Sequence, residues 1–415
     1  MTVQLGEVFR RVVGDDAPVG FRAYDGSEVA AASPSAPVLD VADPMALNYL
    51  VSARKMELGL ARAYITGAVN VIGDLYTAMK SLWTLKNPLG PVGMARIFTG
   101  LGGFRLLRRP PVPQQEARMS GRRHSKSRDA DAIAHHYDVG NDFYEILLGD
   151  SMAYTCAVYD NTMTGLAQAQ YNKHDLVARK LGLRAGMRLL DVGCGWGGMV
   201  IHAAKHYGVK ALGVTLSRQQ AEWGQRAVLD NGLEDLAEIR FLDYRDVPES
   251  GFDAISSIGL TEHVGPENLS SYFAKLFAKL EPGGRLLNHC ITKPDGRGPA
   301  ITRGGFISRY VFPDGGLSGP GTLMSRMHDA GFEVRHAQNF REHYALTLRD
   351  WVANLERRWD EAVKLVGEQT ARAWRLYLVG SRLGFEHNGI QLHQMVGVKL
   401  KPGAEADVPL RPQWA

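Results

Sequence analysis

The stretch "MRLLDVGCGWGG", residues 187–198, decides how the rest of the chain is read. An apolar run ends in an acid, Asp191, and is followed at once by Gly193, Gly195, Gly197 and Gly198, after which helix-forming residues resume. Glycines at such a junction let the backbone turn with positive φ and approach a ligand closely. The helix that follows begins with N–H groups that have no partner inside it. The pattern predicts a strand, a ligand-binding turn and a helix. A glycine pattern alone is also compatible with a dinucleotide site. A phosphate-binding P-loop is excluded, because no Gly-Lys-Ser/Thr follows.

Four more strand-like runs lie downstream: "KALGVTL" (210–216), "AEIRFLD" (237–243), "FDAISSIG" (252–259) and "GRLLNHCI" (284–291). Helical patterns fill the gaps near 197–207, 217–231 and 268–280. Strand and helix alternating at this spacing predict an α/β domain, a mostly parallel sheet covered on both faces. In such sheets ligands bind beyond the carboxyl ends of the strands. No internal repeat is evident.

The chain has 415 residues, 45% of them hydrophobic and 22% charged, with a net charge of +4. This length accommodates a large working domain, placed at 129–415, and a small N-terminal domain at 1–95. A linker over 96–128 joins them. In the N-terminal part, "FRAYDGSEV" suggests a hairpin, and an amphipathic helix is expected after Arg54. The most apolar helix-like window, 58–83, is broken by Arg62, Asn70 and Asp74 and makes a poor membrane span. A basic start followed by an apolar stretch is missing, so no signal peptide is expected. Cys156, Cys194 and Cys290 are far apart and form no C-x-x-C, which suggests neither a disulfide framework nor a metal site and fits a cytoplasmic protein. Charge is concentrated in the linker, where Arg105 to Arg128 holds eight Lys/Arg and one acid, Glu116. This segment reads either as a solvated connector or as a patch drawn to anionic lipid headgroups at the inner face of the membrane. Nucleic acid is disfavoured, since no aromatics are interleaved with the basic residues.

The acid-plus-glycine signature at 191–197, preceded by a strand and followed by four more, resembles motif I of the class I S-adenosylmethionine-dependent methyltransferases. Further stretches narrow the resemblance: "HHYDVGNDFYEILLG" (135–149), "SMAYTCAVY" (151–159), "GVTLSRQQ" (213–220), "DYRD" (243–246), "EHVG" (262–265), "YVFPDGGL" (310–317) and "NFREHYALTLRDW" (339–351). In this order they resemble the cyclopropane-fatty-acyl-phospholipid synthase family, which includes the mycolic acid cyclopropane synthases. The likeness runs from His136 to about Met395. It implies a Rossmann-like, mostly parallel seven-stranded sheet with helices on both faces.

For the cofactor, S-adenosylmethionine, the resemblance implies that Asp191 and the loop glycines Gly193, Gly195 and Gly197 hold the methionine end. Tyr154 and Thr155 would line its carboxylate, and Tyr137 would close over it. The usual acid at the end of the second strand is missing. Thr215, Leu216 and Gln220 stand there instead, and Gln220 is able to make the same hydrogen bonds. Tyr244 is expected against the adenine, with Asp243 or Arg245 at its edge. The chemistry implied is methyl transfer to a cis alkene of an unsaturated acyl chain in phospholipid, giving a carbocation that must lose a proton. A side-chain carboxylate placed against that cation would risk alkylation, and in the family the base is a bound bicarbonate ion. The match assigns its cage to Glu262, His289, Tyr344 and the backbone amides of Cys156 and Ile291. His263 is left out of the chemistry.

If the proton leaves the new methyl group, the product is a cyclopropane. If it leaves a neighbouring chain carbon, the product is a methylene branch, which a reductase partner would then reduce to a methyl branch. Methylation of a small molecule is the remaining enzymatic alternative. Apolar helical segments at 129–180 and 303–380 read equally as the roof of an acyl tunnel or as ordinary core. The extra N-terminal domain and basic linker favour a membrane-surface substrate. The oligomeric state is left open between monomer and homodimer.

Overall fold

The computed structural model describes residues 4–83, 101, 103–117, 128, 139–295, 304–412 and 414. The chain divides into two compact units. One comprises Met1–Arg118, Thr302–Val311 and Trp359–Leu383, and the other Met119–Ile301, Phe312–Arg358 and Gly384–Ala415. Two segments from the second half of the chain therefore cluster with the N-terminal residues.

In the first unit, β1 (Gly20–Ala23), β2 (Glu28–Val29), β3 (Val38–Val41) and β4 (Val69–Ile72) form a sheet in the order β2-β1-β3-β4. The expected hairpin is present, with Phe21 opposite Val29. The helix expected after Arg54 is Met56–Ile65. The apolar window 58–83 is not one helix. It breaks at Gly67, whose φ is +80°, runs as β4 and resumes as the helix Leu75–Trp83. Among the described residues no helix is long and apolar enough to cross a membrane. Glu116, the acid of the basic linker, is buried and accepts from Arg62 and Arg309 at 2.7–2.9 Å.

The second unit is built on a seven-stranded sheet. Its strands are β5 (Arg188–Val192), β6 (Lys210–Thr215), β7 (Ala237–Phe241), β8 (Phe252–Ile258), β9 (Leu280–Thr292), β10 (Glu333–Asn339) and β11 (Gln391–Val398), in the order β10-β11-β9-β8-β5-β6-β7. The pairs from β9 to β7 are parallel, whereas β11 runs antiparallel to both neighbours. Alternation along each strand explains the continuous apolar runs. Leu189, Ala254 and Leu287 enter one core, and Leu190, Ile255 and Leu286 the other, so both faces are dry. The expected helices appear as Gly198–Tyr207, Arg218–Asp230 and Leu269–Lys279. Ser217 caps the second by accepting from the Gln220 amide. The helix Leu166–Leu181 ends at Gly182 in the left-handed conformation.

Candidate active site

The carboxyl ends of β5, β6 and β8 open into a cleft that brings together Tyr154, Thr155, Asp191, Gly193, Gly195, Thr215, Leu216, Gln220 and Tyr244. The loop glycines are shaped for different reasons. An added Cβ at Gly195 would meet no atom within 4 Å, whereas one at Gly197 would lie 2.2 Å from Ile239 Cδ1. Gly195 thus leaves room for a ligand, and Gly197, with φ +88°, lets the loop pack on the sheet.

Asp191 is buried, and its Oδ1 accepts from Ser256 Oγ at 2.6 Å. Burial raises its carboxyl to about 6, while the Ser256 hydrogen bond and the charge of Lys173 oppose the rise. Lys173 lines the same cleft and was missed in the sequence reading. Its Nζ contacts Thr155 Oγ1 at 3.0 Å and His174 Nε2 at 2.8 Å, and burial pulls its ammonium down to about 7 against the favourable charge of Asp191. A signal for it does exist. Lys173 and Lys180 lie seven residues apart on the face of Leu166–Leu181 that buries Ala169, Leu176 and Val177, where an unpaired lysine is costly. His174, Trp196 and His263 also line the cleft. His263, left out of the chemistry in the sequence reading, lies on the short helix Thr261–Val264 and lines this cleft.

Where an acid would ordinarily end the second strand, Thr215 Oγ1 donates to Gln220 Oε1 at 2.8 Å. Tyr244 stands edge-on to Tyr272, with ring centroids 5.4 Å apart. Asp243 and Arg245 are paired with each other at 2.6 Å and do not line the cleft. Tyr137 lies outside the described residues.

A second group of residues gathers at the ends of β8 and β9. Glu262 sits four residues beyond β8, and its Oε1 accepts from the Ile291 amide at 2.7 Å. The Ile291 N–H, expected to face an anion, here holds the carboxylate in place. Glu262 Oε2 is buried and has no hydrogen-bond partner, and burial raises this carboxyl to about 7. His289, two residues before Ile291 on β9, is buried too, and its Nε2 also lacks a partner. Burial, followed by the charges of Lys173 and Lys180, holds the imidazole well below its usual pKa, so the ring is neutral. Cys156 is fully buried, with Sγ 3.8 Å from the Phe340 carbonyl at the start of the helix Arg341–Arg357. Its thiol is pushed up by burial and stays protonated. On that helix Tyr344 stacks on Phe385 and meets Trp351 edge-on, and Trp351 in turn stacks on Tyr154. A row of aromatic rings thereby connects the two groups.

Two buried polar atoms are thus without partners, one an acceptor or acid oxygen and the other an imidazole nitrogen, and each would be satisfied by a hydrogen-bonding group. No cluster of His, Cys, Asp or Glu suited to a metal ion exists among the described residues.

A family model described as "Mycolic acid cyclopropane synthetase" matches residues 124–395. The chain is 50% identical over 410 residues to a "Probable fatty acid methyltransferase" of Mycobacterium tuberculosis, covering 96% of this chain and 95% of the relative. It is 35% identical over 263 residues to the cyclopropane-fatty-acyl-phospholipid synthase of Escherichia coli, covering 63% and 66%. The solved structure of mycolic acid cyclopropane synthase CmaA1 complexed with SAH and CTAB superposes with a TM-score of 0.61 at 31% identity, covering 65% of this chain and 98% of the other. With the sheet order, the glycine loop under the cleft and these likenesses agreeing, the chain belongs to the mycolic acid cyclopropane synthetase family of S-adenosylmethionine-dependent methyltransferases.

Proposed function

We propose that the protein transfers the methyl group of S-adenosylmethionine to the cis double bond of an unsaturated acyl chain in a phospholipid, and that loss of a proton from the new methyl group closes a cyclopropane. The observation that carries this reading is the pair of buried, unpartnered atoms Glu262 Oε2 and His289 Nε2 at adjoining strand ends. When bound, S-adenosylmethionine supplies an electrophilic methyl carbon, and bicarbonate supplies the base.

The chain's own residues bind, orient and exclude water. Asp191 accepts from the methionine amino group, Lys173 and Thr155 attract its carboxylate, Thr215, Leu216 and Gln220 hold the ribose, and Tyr244 lies against the adenine. Glu262 and His289 orient the anion, with Tyr344 and the Cys156 amide completing its cage. The Ile291 amide keeps Glu262 in place rather than touching the anion.

The first unit is the membrane-docking part in this reading. Met45, Val51, Met56 and Leu60 are exposed on its helices Met45–Ser52 and Met56–Ile65, and Arg108 and Arg109 are exposed in the linker. Apolar side chains for the acyl boundary and cations for headgroups suit an anionic bilayer. Binding to vesicles is expected to rise with anionic lipid and to fall with salt.

The same cation offers a second product, a methylene branch that a reductase would then reduce; the 50%-identical relative is named as a fatty acid methyltransferase, which suits either product. One experiment addresses both. The protein is incubated with labelled S-adenosylmethionine and vesicles of unsaturated phospholipid, and the released fatty acids are weighed by mass spectrometry. A gain of one carbon and two hydrogens supports alkylation, and NMR separates ring from branch. Label transfer to a soluble acceptor with no lipid present, and none to acyl chains, overturns the reading in favour of a small-molecule substrate.

A further inference from the structure

His289 is one end of a hydrogen-bonded chain that begins at a buried lysine. Lys180, in the last turn of Leu166–Leu181, is fully buried, and its Nζ donates to Gln394 Oε1 and to Gln338 Oε1, each at 2.7 Å. The same ammonium lies 4.9 Å from the centre of the Phe340 ring. Gln394 is the residue directly opposite His289 in the β11–β9 pairing, and its Nε2 lies 3.2 Å from His289 Nδ1.

The direction of each bond follows from chemistry. An ammonium has only donors, so it takes the oxygen of the Gln394 amide and leaves the NH2 group facing the imidazole. An amide NH2 donates, so Nδ1 must accept. A neutral imidazole that accepts at Nδ1 carries its proton on Nε2. Nε2 is the buried atom that finds no partner in the protein.

We propose that Lys180 and Gln394 are positioning residues that lock His289 in the Nε2–H tautomer, so that the ring presents a hydrogen-bond donor to the bound anion. The same two residues keep the ring from pivoting, because β11 fixes Gln394 and the lysine fixes its amide. The donor role rests on the reading of His289 as an anion ligand given above. The tautomer does not.

The test uses the full chain with 15N-labelled histidine, His289 being assigned from the signals lost in His289→Gln. In the native protein its Nε2 should give the shift of a protonated ring nitrogen and Nδ1 that of an unprotonated one. Gln394→Glu keeps the shape and the Lys180 contact but places an acceptor beside Nδ1, so the ring proton should move to Nδ1. Lys180→Met frees the amide to rotate and should give a mixture of tautomers. In carbon-dioxide-depleted buffer, the bicarbonate concentration for half-maximal turnover should rise about tenfold or more in Gln394→Glu, as expected for one lost charge-assisted hydrogen bond. The dissociation constant for S-adenosylhomocysteine should stay within about twofold. A native ring protonated on Nδ1, or one whose tautomer ignores Gln394→Glu, overturns the proposal. A tautomer that switches while the bicarbonate dependence stands still removes His289 from the anion site and overturns that reading alone.

Discussion

The two halves of the site handle buried polarity in opposite ways. At the ends of β5 and β6, Asp191 accepts from Ser256, Thr215 donates to Gln220, and Lys173 contacts Thr155 and His174. At the ends of β8 and β9, Glu262 and His289 each keep one partner and leave one polar atom bare. The first half is preorganised: its groups already stand in place, and a ligand adds to them. The second is incomplete as protein alone. Leaving buried polar atoms unpaired costs roughly 1–3 kcal/mol each, so the fold tolerates a penalty there that a bound hydrogen-bonding group would remove.

The comparison breaks most directly at His289. His289→Ala should lower turnover about 100- to 1000-fold, the range for removing one preorganised donor at a reacting centre, while isothermal titration shows cofactor affinity preserved. Asp191→Asn should do the reverse and weaken cofactor binding about 10- to 100-fold, the value of a hydrogen bond to a charged group.

The pH dependence of stability adds a second contrast, because Glu262 and Lys173 should slope in opposite directions. Glu262 holds its proton up to about 7 when folded, against 4.5 when unfolded. The folded state then binds more protons in that window, so stability falls as pH rises from about 4.5 to 7. Lys173 loses its proton at about 7 when folded, against 10.5 when unfolded. The unfolded state then binds more protons, so stability rises from about pH 7 to 10.5. Urea titrations of Glu262→Gln and Lys173→Met should each flatten one slope, by roughly 3 and 5 kcal/mol across the respective windows. The smallest effect concerns the thiols. Cys156, Cys194 and Cys290 are buried with raised pKa values, so a disulfide reagent should modify none of them until the protein is unfolded.

Much of the cofactor half was legible in the sequence. Its residues are contiguous, since a strand, a glycine turn and a helix follow one another within "MRLLDVGCGWGG", and local rules of backbone geometry suffice to read them. The parallel strands were legible too, because each is buried on both faces and appears as an unbroken apolar run. β10 and β11 were not. "EVRHAQN" lies at the sheet edge with mixed exposure, and "QLHQMVGV" carries the buried Gln394 between half-buried polar residues and apolar ones, so neither stands out as an apolar run. Lys173 and Lys180 escaped notice because charge on a helix is read as solvent-facing until its partners are seen.

By itself, then, the sequence determined the α/β order, the ligand turn and the family to which the motifs belong. Only the tertiary structure decided that residues 302–311 and 359–383 cluster with the N-terminal unit. It also decided that His263 turns to the cleft, that the Ile291 amide holds Glu262, and that Gln394 stands opposite His289. The reason is range. Turn and strand propensities act over a few neighbouring residues, whereas Gln394 and His289 are 105 positions apart and meet only because strand register and core packing bring them together.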